Sequence, residues 1–208
     1  MDIRTESFGE HHKLTFADKI GVWLSNRRII KLARAEKPEV VADIGCGFEA
    51  RLFGVLPQTL KQYIAVDVSL SSALSDDVRI KSIEGLLPEA LNGLPTGSVD
   101  LVILNSVIEH IDDPELAIRE CLRIIKPGGV IFVNVPTWLG KIVLEFLAFR
   151  LSLSPAIEMN DHKNYYDKRD LWRVLRKGGV LPMNITVRRH KFLLNVFAIG
   201  RIEKISRD

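Results

Sequence analysis

The stretch Val40–Gly47, Val-Val-Ala-Asp-Ile-Gly-Cys-Gly, constrains the fold more than any other part of the chain. A short apolar run that ends in two closely spaced glycines reads as a buried strand entering a tight turn. Gly45, Gly47 and Ala50 fit the spacing G-x-G-x-x-[G/A], and Asp67 ends the next apolar run, near the offset at which a ribose-binding acid sits. Glycines in such a turn let the backbone approach a ligand where a Cβ would intrude. Asp43 lies just before the turn and Glu49 within it. A carboxylate in that place needs a reason.

The rest of the chain alternates strand and helix patterns. Residues 14–36 predict an amphipathic helix, with Ile20, Trp23, Leu24 and Ile30 at near-helical spacing and Pro38 as its break. Residues 49–56 predict a second helix, stopped by Pro57. Strands are predicted at 63–68, at 78–83 and at 99–105, the last apolar enough to be covered on both faces. Asp113 and Pro114 open a helix as its cap and first-turn proline, and Lys-Pro-Gly-Gly ends it before a strand at 130–135. This order predicts an α/β domain with a doubly wound, mostly parallel sheet, which binds ligands at the carboxyl ends of its strands. Residues 137–155 read as a long apolar helix. Residues 160–166 read as a polar, aromatic loop, and Asp167 and Asp170 open a further helix. Two final strands flank a basic turn at Arg188, Arg189, His190 and Lys191, and so short a connection makes them antiparallel.

Length and charge narrow the function classes. The 208 residues suit a single domain. It divides into a helical cover (1–36), a cofactor-binding core (39–136), and substrate-side helices with a hairpin (137–208). A net charge of +3 is too weak a basic excess for a nucleic-acid protein. Cys46 and Cys121 are too far apart in sequence for a disulfide framework or a metal knuckle, which points to a reducing, cytoplasmic setting. Residues 1–13 carry no apolar leader, and no apolar run is long enough to span a membrane.

The carboxylates decide what the turn holds. A pyrophosphate prefers backbone amides without negative charge nearby. Asp43 and Glu49 oppose it and favour a cationic ligand without phosphate. S-adenosylmethionine has an ammonium, a sulfonium and a ribose diol. Asp43 would face the ammonium side, and Asp67 would accept from both ribose hydroxyls. The alternatives are a cap on the turn's own amides for Asp43, and a helix N-cap for Asp67, with Ser69 competing. Cys46 reads as a small packing residue in the turn rather than a nucleophile.

"DIGCG", then "VDVS", then "GSVDLVILNSVIEHIDDPELAIRECLRIIKPGGVIFVNVP" resembles the class I S-adenosylmethionine-dependent methyltransferases over residues 39–136. The resemblance is to small bacterial enzymes similar to those of ubiquinone and menaquinone biosynthesis. It implies a seven-stranded Rossmann-like sheet whose last strand is antiparallel, in agreement with the hairpin. It places the cofactor against Asp43, Gly45, Cys46, Gly47, Asp67, Val68, Glu84, Asn105 and Ser106. The chain departs from the family at Glu49 and Ala50, where another glycine is usual. It departs again at Leu86, where an adenine-side Asp is expected, and at Val99, where an aromatic is usual.

Candidate catalytic residues are Glu109 and His110 after the fourth strand, and His162 in a loop with Tyr165 and Tyr166. His110 packing on the sheet and His162 as a surface residue are the plain alternatives. No histidine or cysteine stands at metal-ligand spacing from His162, so no metal is expected. The expected activity is methyl transfer to a small molecule, at oxygen on a glycan, lipid or isoprenoid-type acceptor. An NAD-binding oxidoreductase and a catalytically silent regulator are the alternatives. The apolar segment after residue 137 is read as a helix packed on the sheet, a lid, or a contact with a lipid-linked substrate or membrane surface. Nothing in the sequence sets an oligomeric state.

Overall fold

The apolar runs form strands β1 (Val40–Ile44), β2 (Gln62–Asp67), β3 (Ile80–Glu84), β4 (Val99–Asn105), β5 (Ile125–Pro136), β6 (Ile185–Arg189) and β7 (Asn195–Arg201). The computed structural model describes residues 7–10, 16–137, 166–189 and 195–203. In it the strands make one sheet of order β3-β2-β1-β4-β5-β7-β6. Strands β1 to β5 pair in parallel, and β7 runs antiparallel to both β5 and β6. This is the expected Rossmann-like sheet with an antiparallel last strand. Strand order reverses between β1 and β4, which opens a crevice at their carboxyl ends.

Strand β4 shows why the sheet is buried on both faces. Leu101, Val102, Ile103 and Leu104 are all fully buried. Val102 and Leu104 pack into one layer with Ile118, Cys121 and Leu171; Leu101 and Ile103 pack into the other with Ile29, Leu32 and Ala33. The first layer is supplied by α2 (Pro114–Ile124) and α3 (Lys168–Gly178), and the second by α1 (Phe16–Glu36). Both predicted caps are present. Asp113 accepts from the Leu116 amide at 2.9 Å. Asp167 accepts from Arg169 and Asp170 amides while Asp170 returns a bond to Asp167, a capping box. Such caps are each worth about 1 kcal/mol. At the amino edge of the sheet, Asp100 accepts from the Glu39 and Val40 amides and from Lys126, which fixes the start of β1 against β4.

Several local expectations need correction. Residues 49–56 do not form an α-helix. They form turns and a short 3₁₀ segment, Phe53–Val55. Ala50 has φ +44°, a left-handed conformation that interrupts a right-handed helix, and Pro57 follows too closely for one to propagate. In α1 the buried face is Ile29, Leu32 and Ala33, while Ile30 is half-buried and Trp23 is 55% exposed with the Arg27 guanidinium over its ring. The Lys-Pro-Gly-Gly segment lies within β5, beside a register shift between Val99 and Leu101. Arg188 and Arg189 end β6 rather than forming the turn. His190, Lys191, the apolar segment at 138–155, His162 and Tyr165 lie outside the described residues. Among the described residues no helix is long and apolar enough to cross a membrane.

At Gly178 α3 packs tightly on α2: a Cβ there would sit 2.4 Å from Ile118 Cγ2. Gly178→Ala should therefore lower stability to urea by roughly 1–3 kcal/mol, the usual cost of overpacking. An unchanged unfolding midpoint and slope would show that the two helices separate freely.

Candidate cofactor site

The glycine turn stands at the carboxyl end of β1, over the crevice. Gly45 and Gly47 have φ of +70° and +76°. A Cβ on Gly45 would lie 2.4 Å from Val107 Cγ2, so the loop after β4 rests directly on the turn. The amides of Gly45 and Cys46 both donate to the Val66 carbonyl, at 2.7 and 3.2 Å. Asp67 completes the frame. Its Oδ2 accepts from the Gly47 amide at 2.7 Å, and its Oδ1 accepts from the Val68 amide at 2.8 Å. The helix-cap alternative for Asp67 fails, because Ser71 caps the 3₁₀ turn that follows β2.

Asp43 is buried, and the Tyr63 hydroxyl of β2 donates to it. Its bonding partner is thus a phenol on the neighbouring strand rather than the turn's amides. Burial pushes the Asp43 carboxyl up to about 7; the Tyr63 hydrogen bond opposes that shift and the Asp67 charge adds to it. Burial and the same two carboxylates push the Cys46 thiol up, so it stays protonated and acts as a packing residue of the turn. Glu49 points to solvent and pairs with Arg51 at 2.6 Å. The repulsion of a phosphate therefore falls to Asp43 and Asp67, not to Glu49.

Two of the other cofactor candidates help shape the surrounding loops. Glu84 stands beside Asp67 in the sheet register, and its Oε1 accepts from the Leu70 amide at 2.8 Å, holding the loop that carries Val68. Leu86, where an adenine-side acid was sought, is 45% exposed. Asn105 ends β4; its Oδ1 accepts from Asn134 at 2.9 Å, and its Nδ2 reaches Ser25 of α1 at 3.5 Å. Ser106 is exposed with φ +60°, a conformation that non-glycine residues adopt mainly at turns and functional sites. Its amide donates to the Asn134 carbonyl at 2.8 Å.

The catalytic candidates separate. Glu109 and His110 follow in a 3₁₀ turn, Ile108–His110; Glu109 is fully buried and His110 half-buried. Tyr166 is buried, and its hydroxyl donates to the Ile108 carbonyl at 3.3 Å. Burial first, and then the Glu109 charge, push the Tyr166 phenol up to about 12. Two groups at this site carry no motif in the sequence. Tyr63 belongs to an apolar strand pattern. Ser7 lies in the polar amino-terminal stretch, yet its hydroxyl reaches Asp67 Oδ1 at 2.5 Å. Only strand pairing and chain threading bring either residue to the acids, so no local pattern marks them.

The residues fit S-adenosylmethionine. An acid ends β2 beside the turn, the turn has no room for side chains at Gly45, and the nearby charges are negative. Residues 42–133 match the family described as Methyltransferase domain. A ubiquinone biosynthesis O-methyltransferase from Xanthomonas oryzae pv. oryzae is 33% identical over 109 residues, 45% of this chain and 41% of that protein. The same-named enzyme from Cupriavidus pinatubonensis is 25% identical over 178 residues, 77% of this chain and 68% of its own length. The chain thus aligns with about two fifths of the length of the Xanthomonas relative. Among solved structures, a putative O-methyltransferase from Nostoc punctiforme has a TM-score of 0.59 at 16% identity, covering 85% of this chain and 55% of that one. An S-adenosylmethionine-dependent methyltransferase from Thermotoga maritima has a TM-score of 0.56 at 18% identity, covering 90% and 97%. These structures share the fold. From the glycine turn through the parallel strands, the chain is similar to the methyltransferase-domain family and shares the fold of S-adenosylmethionine-dependent methyltransferases.

Proposed function

We propose that the chain transfers a methyl group from S-adenosylmethionine to a hydroxyl of an isoprenoid-type small molecule. The observation that carries this reading is the Asp67 carboxylate, fixed beside the glycine turn by the Gly47 amide. The acceptor class draws on the ubiquinone biosynthesis O-methyltransferases, which share the core at 33% identity.

The cofactor, when bound, supplies a methyl group already activated on a sulfonium. The chain's task is to hold, orient and shield. Asp67 would take the ribose hydroxyls, and Asp43 would supply negative charge on the ammonium side. Asn105 and Ser106 border the crevice from β4. His110, half-buried at that same edge, takes the proton that the acceptor hydroxyl loses. Glu109, enclosed beside Tyr166, positions the turn that carries His110. The cover expected from residues 1–36 and 138–166 lies in large part outside the described residues.

Asp67→Ala should weaken S-adenosylhomocysteine binding by roughly 1–3 kcal/mol, the range for a lost charge-assisted hydrogen bond. Calorimetry gives the value, and unchanged affinity would remove Asp67 from the ribose site.

His110→Ala should leave that affinity unchanged and lower kcat by roughly 10²–10⁴ with hydroxylated isoprenoid acceptors, the typical contribution of a general base. An undiminished kcat would show that transfer needs no base at this position.

Asp43 adds a pH signature. Free, it holds its proton up to about 7; a cation beside it draws that level down. Binding in the window below about pH 7 must then release a proton, so affinity should rise from pH 5 to pH 8 and flatten above. Asp43→Asn should abolish this rise. A flat profile for the unmodified protein would place the ammonium elsewhere.

A further inference from the structure

Residues 7–10 lie across the cofactor site. The Phe8 carbonyl accepts from the Phe48 amide at 3.0 Å, and a Cβ on Gly47 would stand 3.1 Å from the same carbonyl oxygen. Glu10 ties both ends of this short strap. Its Oε2 accepts from the Ser7 amide at 3.0 Å, and its Oε1 accepts from the Ser69 hydroxyl at 3.1 Å. Ser7 itself is buried, and its Oγ accepts from the Ser69 amide at 3.0 Å. The strap therefore joins the glycine turn to the loop after β2, the two walls between which a ribose would enter.

The Asp67 carboxylate shows what this costs a ligand. Two carboxylate oxygens offer about four acceptor positions. Oδ1 already takes the Val68 amide and the Ser7 hydroxyl, and Oδ2 takes the Gly47 amide. A ribose diol that uses both oxygens finds one position on Oδ2 and none on Oδ1. The two amides belong to the frame of the site. The Ser7 hydroxyl does not, and it is chemically the same group as the ribose hydroxyl that would replace it. Its hold is also divided. A hydroxyl has one proton, while Asp67 Oδ1 and the Ser69 carbonyl both stand 2.5 Å from Ser7 Oγ.

We propose that residues 7–10 are a latch on the cofactor site, in which Ser7 occupies the Asp67 oxygen required by the ribose and must release it before the cofactor seats. This rests on the cofactor reading given above. The latch satisfies one oxygen of a half-buried carboxylate, and its hydroxyl competes with the ligand for the same atom. Removing the hydroxyl should make binding tighter and faster, the reverse of what a cofactor-contacting serine would show.

The test is calorimetric and stopped-flow titration of the full chain with S-adenosylhomocysteine, using the unmodified protein, Ser7→Ala and Ser7→Thr. Ser7→Ala should bind roughly three- to tenfold more tightly, the range that one net hydrogen bond corresponds to, with a raised association rate. Ser7→Thr keeps the hydroxyl and should match the unmodified protein. Binding by Ser7→Ala alone would also support the latch. Equal or weaker binding by Ser7→Ala, while the unmodified protein binds, overturns the latch and leaves the cofactor reading intact. Tighter binding by Ser7→Thr as well overturns it, since the hydroxyl would then not be the cause. If none of the three binds, the cofactor reading falls and the latch falls with it.

Discussion

The bond from the Gly47 amide to Asp67 is the contact around which the site is organised. It joins the turn after β1 to the end of β2, so two loops that the sheet only brings near become one surface. The Val66 carbonyl adds two further amides from the same turn. Val107, lying where a side chain on Gly45 would go, closes the third wall from β4. Each wall comes from the carboxyl end of a parallel strand. The geometry of the site is therefore a consequence of strand order.

That frame carries a charge problem that defines its ligand. Asp43 is buried, its carboxyl raised by desolvation and by Asp67, and the Tyr63 hydrogen bond opposes this. Glu84 and Glu10 add carboxylates nearby, bonded to the Leu70 amide and the Ser69 hydroxyl. A phosphate would meet repulsion from these groups. A sulfonium with an ammonium would relieve it, and a ribose diol would use the acceptor capacity of Asp67. The same physics explains why Cys46 is inert: a thiolate beside two carboxylates in a buried turn is strongly disfavoured.

Most of the architecture was legible where local pattern and tertiary role agree. The doubly covered β4, the caps at Asp113 and Asp167 and the antiparallel hairpin all follow from periodicity and capping chemistry. The helix expected at 49–56 does not form because Ala50 takes a left-handed conformation, a backbone state that composition does not reveal. In α1, Trp23 stays exposed because it shares its surface with Arg27, a placement that apolar spacing alone does not reveal. At the site, Asp67 was found from its offset to the glycines. Tyr63 and Ser7 were not, since each reaches an acid across a long sequence separation and neither belongs to a motif.

A crystal structure of the chain grown with S-adenosylhomocysteine tests the central claim most directly. Such a structure should show both ribose hydroxyls on the Asp67 carboxylate, the thioether over the turn at Gly45 and Gly47, and the amino group on the side of Asp43. A ligand seated away from this turn, or a ribose bonded elsewhere while Asp67 keeps only its protein partners, would contradict it.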